Sequence, residues 1–211
     1  MLNVLLFNLQ HFIEPSIPVS YKKVILVGEF LLVAILILTG ARYLARNRYY
    51  EMRNVCGAPV LKDLGHDILC PHRKLCTVIF NSCYPILSSS IFIRLLQPDR
   101  LQLGIHFITL LSMLFITRSV LMVVTTLPDP SGKCKGNIVP WKFDGGCSDL
   151  MFSGHTAAFT AVALQCLPVR YALSLSTVNG LCIIGQKRHY TIDVIIAVMF
   201  AFFFNFILNT L

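Results

Sequence analysis

Two histidines, 34 positions apart, each stand where a polar stretch gives way to a long apolar run. His155 lies in CSDLMFSGHT (residues 147–156), and His189 opens HYTID (residues 189–193). Asp193 follows His189 by four positions, which on a helix puts both side chains on one face within hydrogen-bond reach. A carboxylate there holds the imidazole in one tautomer and stabilises its cationic form. The other ring nitrogen is then left to attack an electrophile or to move a proton. Taken alone, such a pair reads more simply as a histidine held at a membrane interface for stability. The surroundings of His155 add chemistry. Ser153 is placed to cap the helix that follows, and Gly154 lets a ligand approach the backbone. The open N–H groups and the helix dipole then make an anion site beside the imidazole.

The elements that must position these groups are membrane helices. The chain is 55% hydrophobic and 13% charged, against about a quarter charged in an ordinary soluble domain. The mean hydropathy is +0.70, and the apolar residues come in blocks. A helix needs about 20 mostly apolar residues to cross a bilayer. Six stretches are read as spans: 24–44, 75–96, 101–124, 153–168, 171–186 and 190–211. The expectation is an all-α integral membrane protein, one six-span domain over residues 1–211. Residues 1–23 are expected to form an interfacial segment; no basic residue precedes Leu2–Leu9, and no small-residue cleavage site follows. The fourth and fifth spans meet at Pro168 and Arg170, so they should be antiparallel neighbours. The fourth and sixth begin on the same side, which allows both histidines and Asp193 to meet at one membrane surface. Residues 45–74 and 125–152 are read as the longest connections.

A net charge of +8 points to anionic lipid head groups rather than to nucleic acid in a chain of this kind. The loops after the first, third and fifth spans hold twelve of the 18 Lys and Arg, from Arg42 to Arg188; the opposite side holds five. By the positive-inside rule those richer loops face the cytosol. His66, Cys70, His72 and Cys76 match no zinc-site spacing, so no metal is expected there. Cys134 and Cys147 bracket one loop and can pair only in an oxidising compartment. Asp63 and Asp67 make a DxxxD pattern, not a metal-binding DxxDG, and read as a solvated surface.

Together these stretches resemble the sphingomyelin synthase family, a branch of the type-2 lipid phosphatase superfamily. CSDLMFSGHT and HYTID are similar to its two catalytic motifs. RSVLMVVTTLP (118–128) is similar to its arginine-to-TTLP segment, and APVLKDLGHDIL (58–69) to its proline-rich first-loop motif, with Lys62 where a proline is usual. The resemblance implies a transferase that moves a phospho-head group, phosphocholine by default, from a glycerophospholipid to ceramide. Diacylglycerol is released through a phosphohistidine intermediate. In that scheme His189 is the nucleophile, Asp193 orients it, and His155 is the acid and base. Asp149 matches the acidic residue of the family's Cys-Gly-Asp, with Ser148 replacing its glycine. Asp149, Ser153, Gly154 and Arg118 are the implied substrate-binding residues. No cofactor or metal is implied. The partners are a phospholipid donor, ceramide or diacylglycerol as acceptor, and the surrounding membrane lipids.

The resemblance also puts the site on the lumenal or extracellular face of a Golgi, plasma or ER-type membrane, against the basic-residue count. Three other readings stand beside the transferase. A lipid phosphatase would use water as acceptor, but Cys182 and Ile183 occupy the positions where phosphatases of the superfamily carry Ser-Arg. Head-group exchange between phosphatidylcholine and diacylglycerol needs the same residues. A lipid-binding membrane protein would need none of them.

Overall fold

In lipid a backbone must satisfy its own hydrogen bonds, and a helix does so within one segment. The computed structural model describes residues 21–56, 60–94, 96–97, 100–130 and 151–210, and among these there are helices and no strands. They are α1 (Tyr21–Cys56), α2 (Leu64–Leu69), a 3-10 turn (Cys70–His72), α3 (Arg73–Arg94), α4 (Arg100–Val124), α5 (Gly154–Cys166), α6 (Val169–Gly185) and α7 (Thr191–Thr210). The expected interfacial segment lies outside the described residues except for Tyr21, Lys22 and Lys23, which form the first turn of α1.

Four stretches are long and apolar enough to cross a membrane: Tyr21–Glu51, Leu64–Arg94, Arg100–Val124 and Thr191–Thr210. Helix α6 is apolar but has 17 residues, and α5 has 13. At 1.5 Å per residue α5 is roughly 20 Å long, short of a hydrocarbon core of about 30 Å. The six expected spans therefore divide into four of full length and a short pair. The shortness has a local cause. Ser153 caps the start of α5, and Pro168, which has no N–H to donate, stands between its end and the start of α6.

Helix α5 is the centre of the bundle. Thr156, Ala157, Phe159, Thr160, Ala161, Val162 and Ala163 are all buried, because α3, α4, α6 and α7 pack around it. Towards α4 and α7 the core holds Leu110, Leu114, Ala157, Ala161, Ala197 and Ala201. Ala157 and Ala161 on one helix, with Ala197 and Ala201 on the other, are small residues at four-residue spacing, which lets two backbones approach closely. A second cluster joins α3 to α6 and α7 through Phe80, Ile183 and Val194. Leu26, Leu36, Ile86, Phe92, Met199 and Phe206 point outward, as expected of a surface solvated by lipid tails. At the far end of the bundle His106 Nε2 (3.1 Å) and Gln165 Nε2 (3.3 Å) both meet Asn205 Oδ1. This small polar knot ties α4, α5 and α7 together.

The expected connection 45–74 is mostly helix. Helix α1 runs on to Cys56, because its buried stripe does not stop where the apolar block does. Ala34, Leu38, Ala41, Ala45 and Tyr49 are each at most 5% exposed, at spacings of three and four that keep one face on α4. Arg48, in that extension, donates a hydrogen bond to the Val123 carbonyl, satisfying an orphan acceptor at the end of α4.

Candidate active site

The turn into HYTID is made by closing α6 tightly. Lys187 adopts a left-handed conformation (φ 56°). Its N–H reaches the Ile184 carbonyl (2.8 Å), and the Arg188 N–H reaches that of Ile183 (3.3 Å). This is the Schellman closure of a helix, with lysine where glycine is usual. It delivers His189 directly to the start of α7.

His189 Nδ1 lies 3.2 Å from Asp193 Oδ2, and the same oxygen accepts the Tyr190 N–H at 3.0 Å. The pair expected from the spacing is present, though not as two residues on one helical face. Helix α7 begins at Thr191, so Asp193 reaches back to its first turn as a capping carboxylate does. His189 is 5% exposed and Asp193 is fully buried. With the Nδ1 N–H donating to the carboxylate, Nε2 keeps its lone pair. Asp193 Oδ1 finds no hydrogen-bond partner among the described residues.

The start of α5 lies against this pair. Ser153 Oγ accepts the Thr156 N–H (3.3 Å) and the Thr156 hydroxyl (2.8 Å), the expected cap. The Ser153 N–H donates to the Asp193 carbonyl (3.2 Å), which joins the two histidine motifs directly. Gly154 was expected to make room for a ligand, and the room is taken by Arg118. A Cβ on Gly154 would fall 1.5 Å from Arg118 Nη1. The buried guanidinium of α4 is thus seated on the first turn of α5, next to His155. The imidazole of His155 is bordered edge-on by Phe80 and Tyr84 of α3 (ring centroids 6.3 Å for both), and Arg188 lies over Phe80 at 5.2 Å. The aromatic wall of α3 thus borders His155 and carries Arg188, the residue before His189. Asp149 lies outside the described residues, with Ser148, Cys134 and Cys147.

Sequence reasoning missed five residues here: Phe80, Tyr84, Asp63, His66 and Tyr190. The last three lie inside quoted motifs, but nothing in their spacing says where they point. Tyr190 Oη donates to the Pro128 carbonyl (2.9 Å) and accepts the Leu61 N–H (3.4 Å), linking the TTLP and first-loop segments. The His66 ring, 5.5 Å from that of Tyr190, meets the His189 carbonyl through Nε2 at 2.9 Å.

The solvated-surface reading of Asp63 is overturned. Its carboxylate accepts the Thr191 hydroxyl (2.6 Å), the Thr191 N–H (2.8 Å) and the His66 N–H (3.1 Å). Partial burial pushes its pKa up, but these hydrogen bonds from Thr191 and His66 outweigh it and hold the carboxyl below its ordinary value. A lowered folded-state pKa stabilises above the unfolded value and is lost as pH falls through the folded one, so this contact is fully present at neutral pH. Asp67 is exposed, as expected.

Residues 146–210 match the family model for the PAP2 superfamily C-terminal. A phosphatidylethanolamine:ceramide ethanolaminephosphotransferase of Trypanosoma brucei brucei (strain 927/4 GUTat10.1) is 32% identical over 117 residues, taking in 44% of this chain and 36% of that protein. A protein of the same name from Trypanosoma brucei brucei gives the same values. The chain thus spans about a third of the length of the curated relatives it matches. Among the described residues the chain is helical, with its two histidine motifs at one end of the bundle, and over residues 146–210 it is similar to the PAP2 superfamily. The relatives bear out the resemblance to the sphingomyelin synthase-like branch.

The seating of Arg118 on Gly154 yields a direct test. Gly154→Ala should push the guanidinium aside without touching either histidine, and misplacement of this order costs about 10²-fold in rate. Lipid head-group transfer by purified protein, compared at equal folded amount, checks it; an unchanged rate would remove Arg118 from the site.

Proposed function

We propose that the protein transfers a phospho-head group from a glycerophospholipid to ceramide and releases diacylglycerol. The observation that carries this reading is the junction of the His189–Asp193 pair with the capped, arginine-bearing start of α5 at one end of the bundle. In the first half-reaction His189 Nε2 gives its lone pair to phosphorus. The bond from phosphorus to the diacylglycerol oxygen breaks, and protonated His155 gives that oxygen its proton. In the second, His155 takes the proton of the ceramide primary hydroxyl. The hydroxyl oxygen bonds to phosphorus, and the bond to His189 breaks. One phosphodiester is spent and one is made, so no nucleotide is needed. Splitting the transfer through a covalent intermediate suits two lipids that use one pocket in turn.

A diester brings one negative charge, which Arg118 and the N–H groups of α5 can offset. The phosphatase reading is weaker for a structural reason. Cys182 and Ile183, at the positions where phosphatases carry Ser-Arg, are buried in the apolar cluster with Cys76 and Phe80. They offer nothing to a doubly charged monoester.

The head group proposed first is phosphoethanolamine, because the relatives' names specify it; the choline taken as the default is the second arm of the test. The same reading has six crossings, with α5 and α6 as the short inner pair. The histidines then face the lumen or the exterior. The basic excess on that side draws anionic lipid heads to the site, overriding a statistical rule of orientation.

Expression in a host lacking such synthases, followed by mass spectrometry of its sphingolipids, should show a new head-group ceramide. His189→Ala should abolish it, and Asp193→Asn should lower the rate about 10⁴-fold, as in triads built the same way. Undiminished product from His189→Ala protein would end the mechanism. Cysteine probes placed in loop 130–145 should be labelled from the lumenal or exterior side; labelling from the cytosolic side of sealed vesicles would reverse the orientation.

A further inference from the structure

The proposed reaction gives the 58–69 stretch no task, yet that stretch makes three separate hydrogen-bonded contacts with HYTID. Asp63 caps two helices at once: α2 through the His66 N–H (3.1 Å) and α7 through the Thr191 N–H (2.8 Å). His66 meets the carbonyl of His189 itself (2.9 Å), and the Leu61 N–H reaches Tyr190 Oη (3.4 Å). Three backbone polar groups beside the nucleophile are therefore each held by a different residue. The 189 carbonyl is held by His66, the 190 N–H by Asp193 (3.0 Å), and the 191 N–H by Asp63.

The approach is close enough to dictate residue type. A Cβ on Gly65 would fall 2.3 Å from Thr191 Oγ1 and 2.9 Å from Ile184 Cγ2, so α2 can lie on the start of α7 only through a glycine. From another direction the Pro128 carbonyl holds Tyr190 Oη at 2.9 Å. An imidazole whose Nδ1 is tied to Asp193 can re-aim its Nε2 only by moving with its own backbone. That backbone is what Asp63 and His66 grip.

We propose that Asp63 and His66 are positioning residues for His189, and that residues 61–66 form a strut setting the aim of the nucleophile. The inference rests on His189 being the nucleophile of the transfer proposed above. A plain tether between α2 and the bundle would hold the protein together and leave turnover per folded molecule unchanged. A strut affects turnover, because a displacement of about 1 Å at the attacking atom costs on the order of 10²-fold.

Purified full-length protein in mixed micelles is assayed with fluorescent ceramide and, in parallel, phosphatidylethanolamine, phosphatidylcholine and phosphatidylinositol. Thr191→Val removes one donor to Asp63 and keeps the side-chain shape. His66→Phe removes the bond to the His189 carbonyl and keeps a ring beside Tyr190. Each is expected to lower kcat by about 10- to 100-fold, with KM for ceramide and the thermal midpoint in detergent close to wild type. Thr191→Ser should recover most of the loss, and Asp63→Ala with Thr191→Val together should be no worse than Asp63→Ala alone. If Asp63→Ala protein does not accumulate, the two single-bond variants decide. Wild-type kcat in both, or losses that follow the thermal midpoint and are not recovered by serine, would overturn the strut while transfer by the wild type still stood. A wild type that transfers from none of the three donors would instead overturn the transfer reading, and the strut with it.

Discussion

A carboxylate buried at the end of a membrane helix must find donors or cost the fold several kcal/mol. Asp193, fully buried three residues into α7, finds two for one oxygen: the imidazole of His189 and the N–H of Tyr190. Much of this end of the bundle depends on that arrangement. It places His189 before the helix rather than on it and fixes the tautomer of the ring. It also leaves the Asp193 carbonyl to receive the N–H of Ser153. One residue thereby joins α7 to α5, its carboxylate holding His189 and its backbone carbonyl holding Ser153, and the two histidine motifs meet.

The bundle below is built to allow that junction. Because α5 is short and sheathed by four other helices, its N-terminus opens inside protein rather than in lipid, where a guanidinium and an imidazole can stand without facing acyl chains. The alanine faces of α5 and α7 bring the two helix starts close together. Gly154 admits Arg118, and Gly65 admits the first-loop motif. In both places an absent side chain is what lets a polar group arrive. α3 is diluted by Asn81, Pro85 and the run Ser88, Ser89 and Ser90. It nevertheless supplies the aromatic wall beside His155.

The amino-acid sequence made some of this plain and hid the rest for identifiable reasons. The helical membrane architecture follows from blocks of apolar residues, and the His189–Asp193 contact from a four-residue spacing. The α5–α6 hairpin follows from Pro168. Local signals of this kind survive in one dimension. The extension of α1 to Cys56 was missed because arginines and tyrosines end the apolar block, while the buried stripe through Ala45 and Tyr49 carries on beneath them. Asp63 was taken for a surface residue because its partner, Thr191, lies 128 positions away. Gly154 was recognised as a close-approach position, but which group approaches depends on Arg118 from another helix. Where a contact is set by packing between distant segments, spacing along the chain carries no record of it.

Covalent capture of the head group on His189 is the central claim, and it can be observed in a single half-reaction. Purified protein is mixed with phosphatidylethanolamine carrying a radiolabelled head-group phosphate, in the absence of ceramide, and quenched without acid. The account predicts label bound to the protein in an acid-labile form and release of diacylglycerol in equal amount. The label should be absent from His189→Ala protein and discharged to a lipid product when ceramide is added. Label retained by the His189→Ala variant, or transfer to ceramide by a wild type that never becomes labelled under any donor, would contradict it.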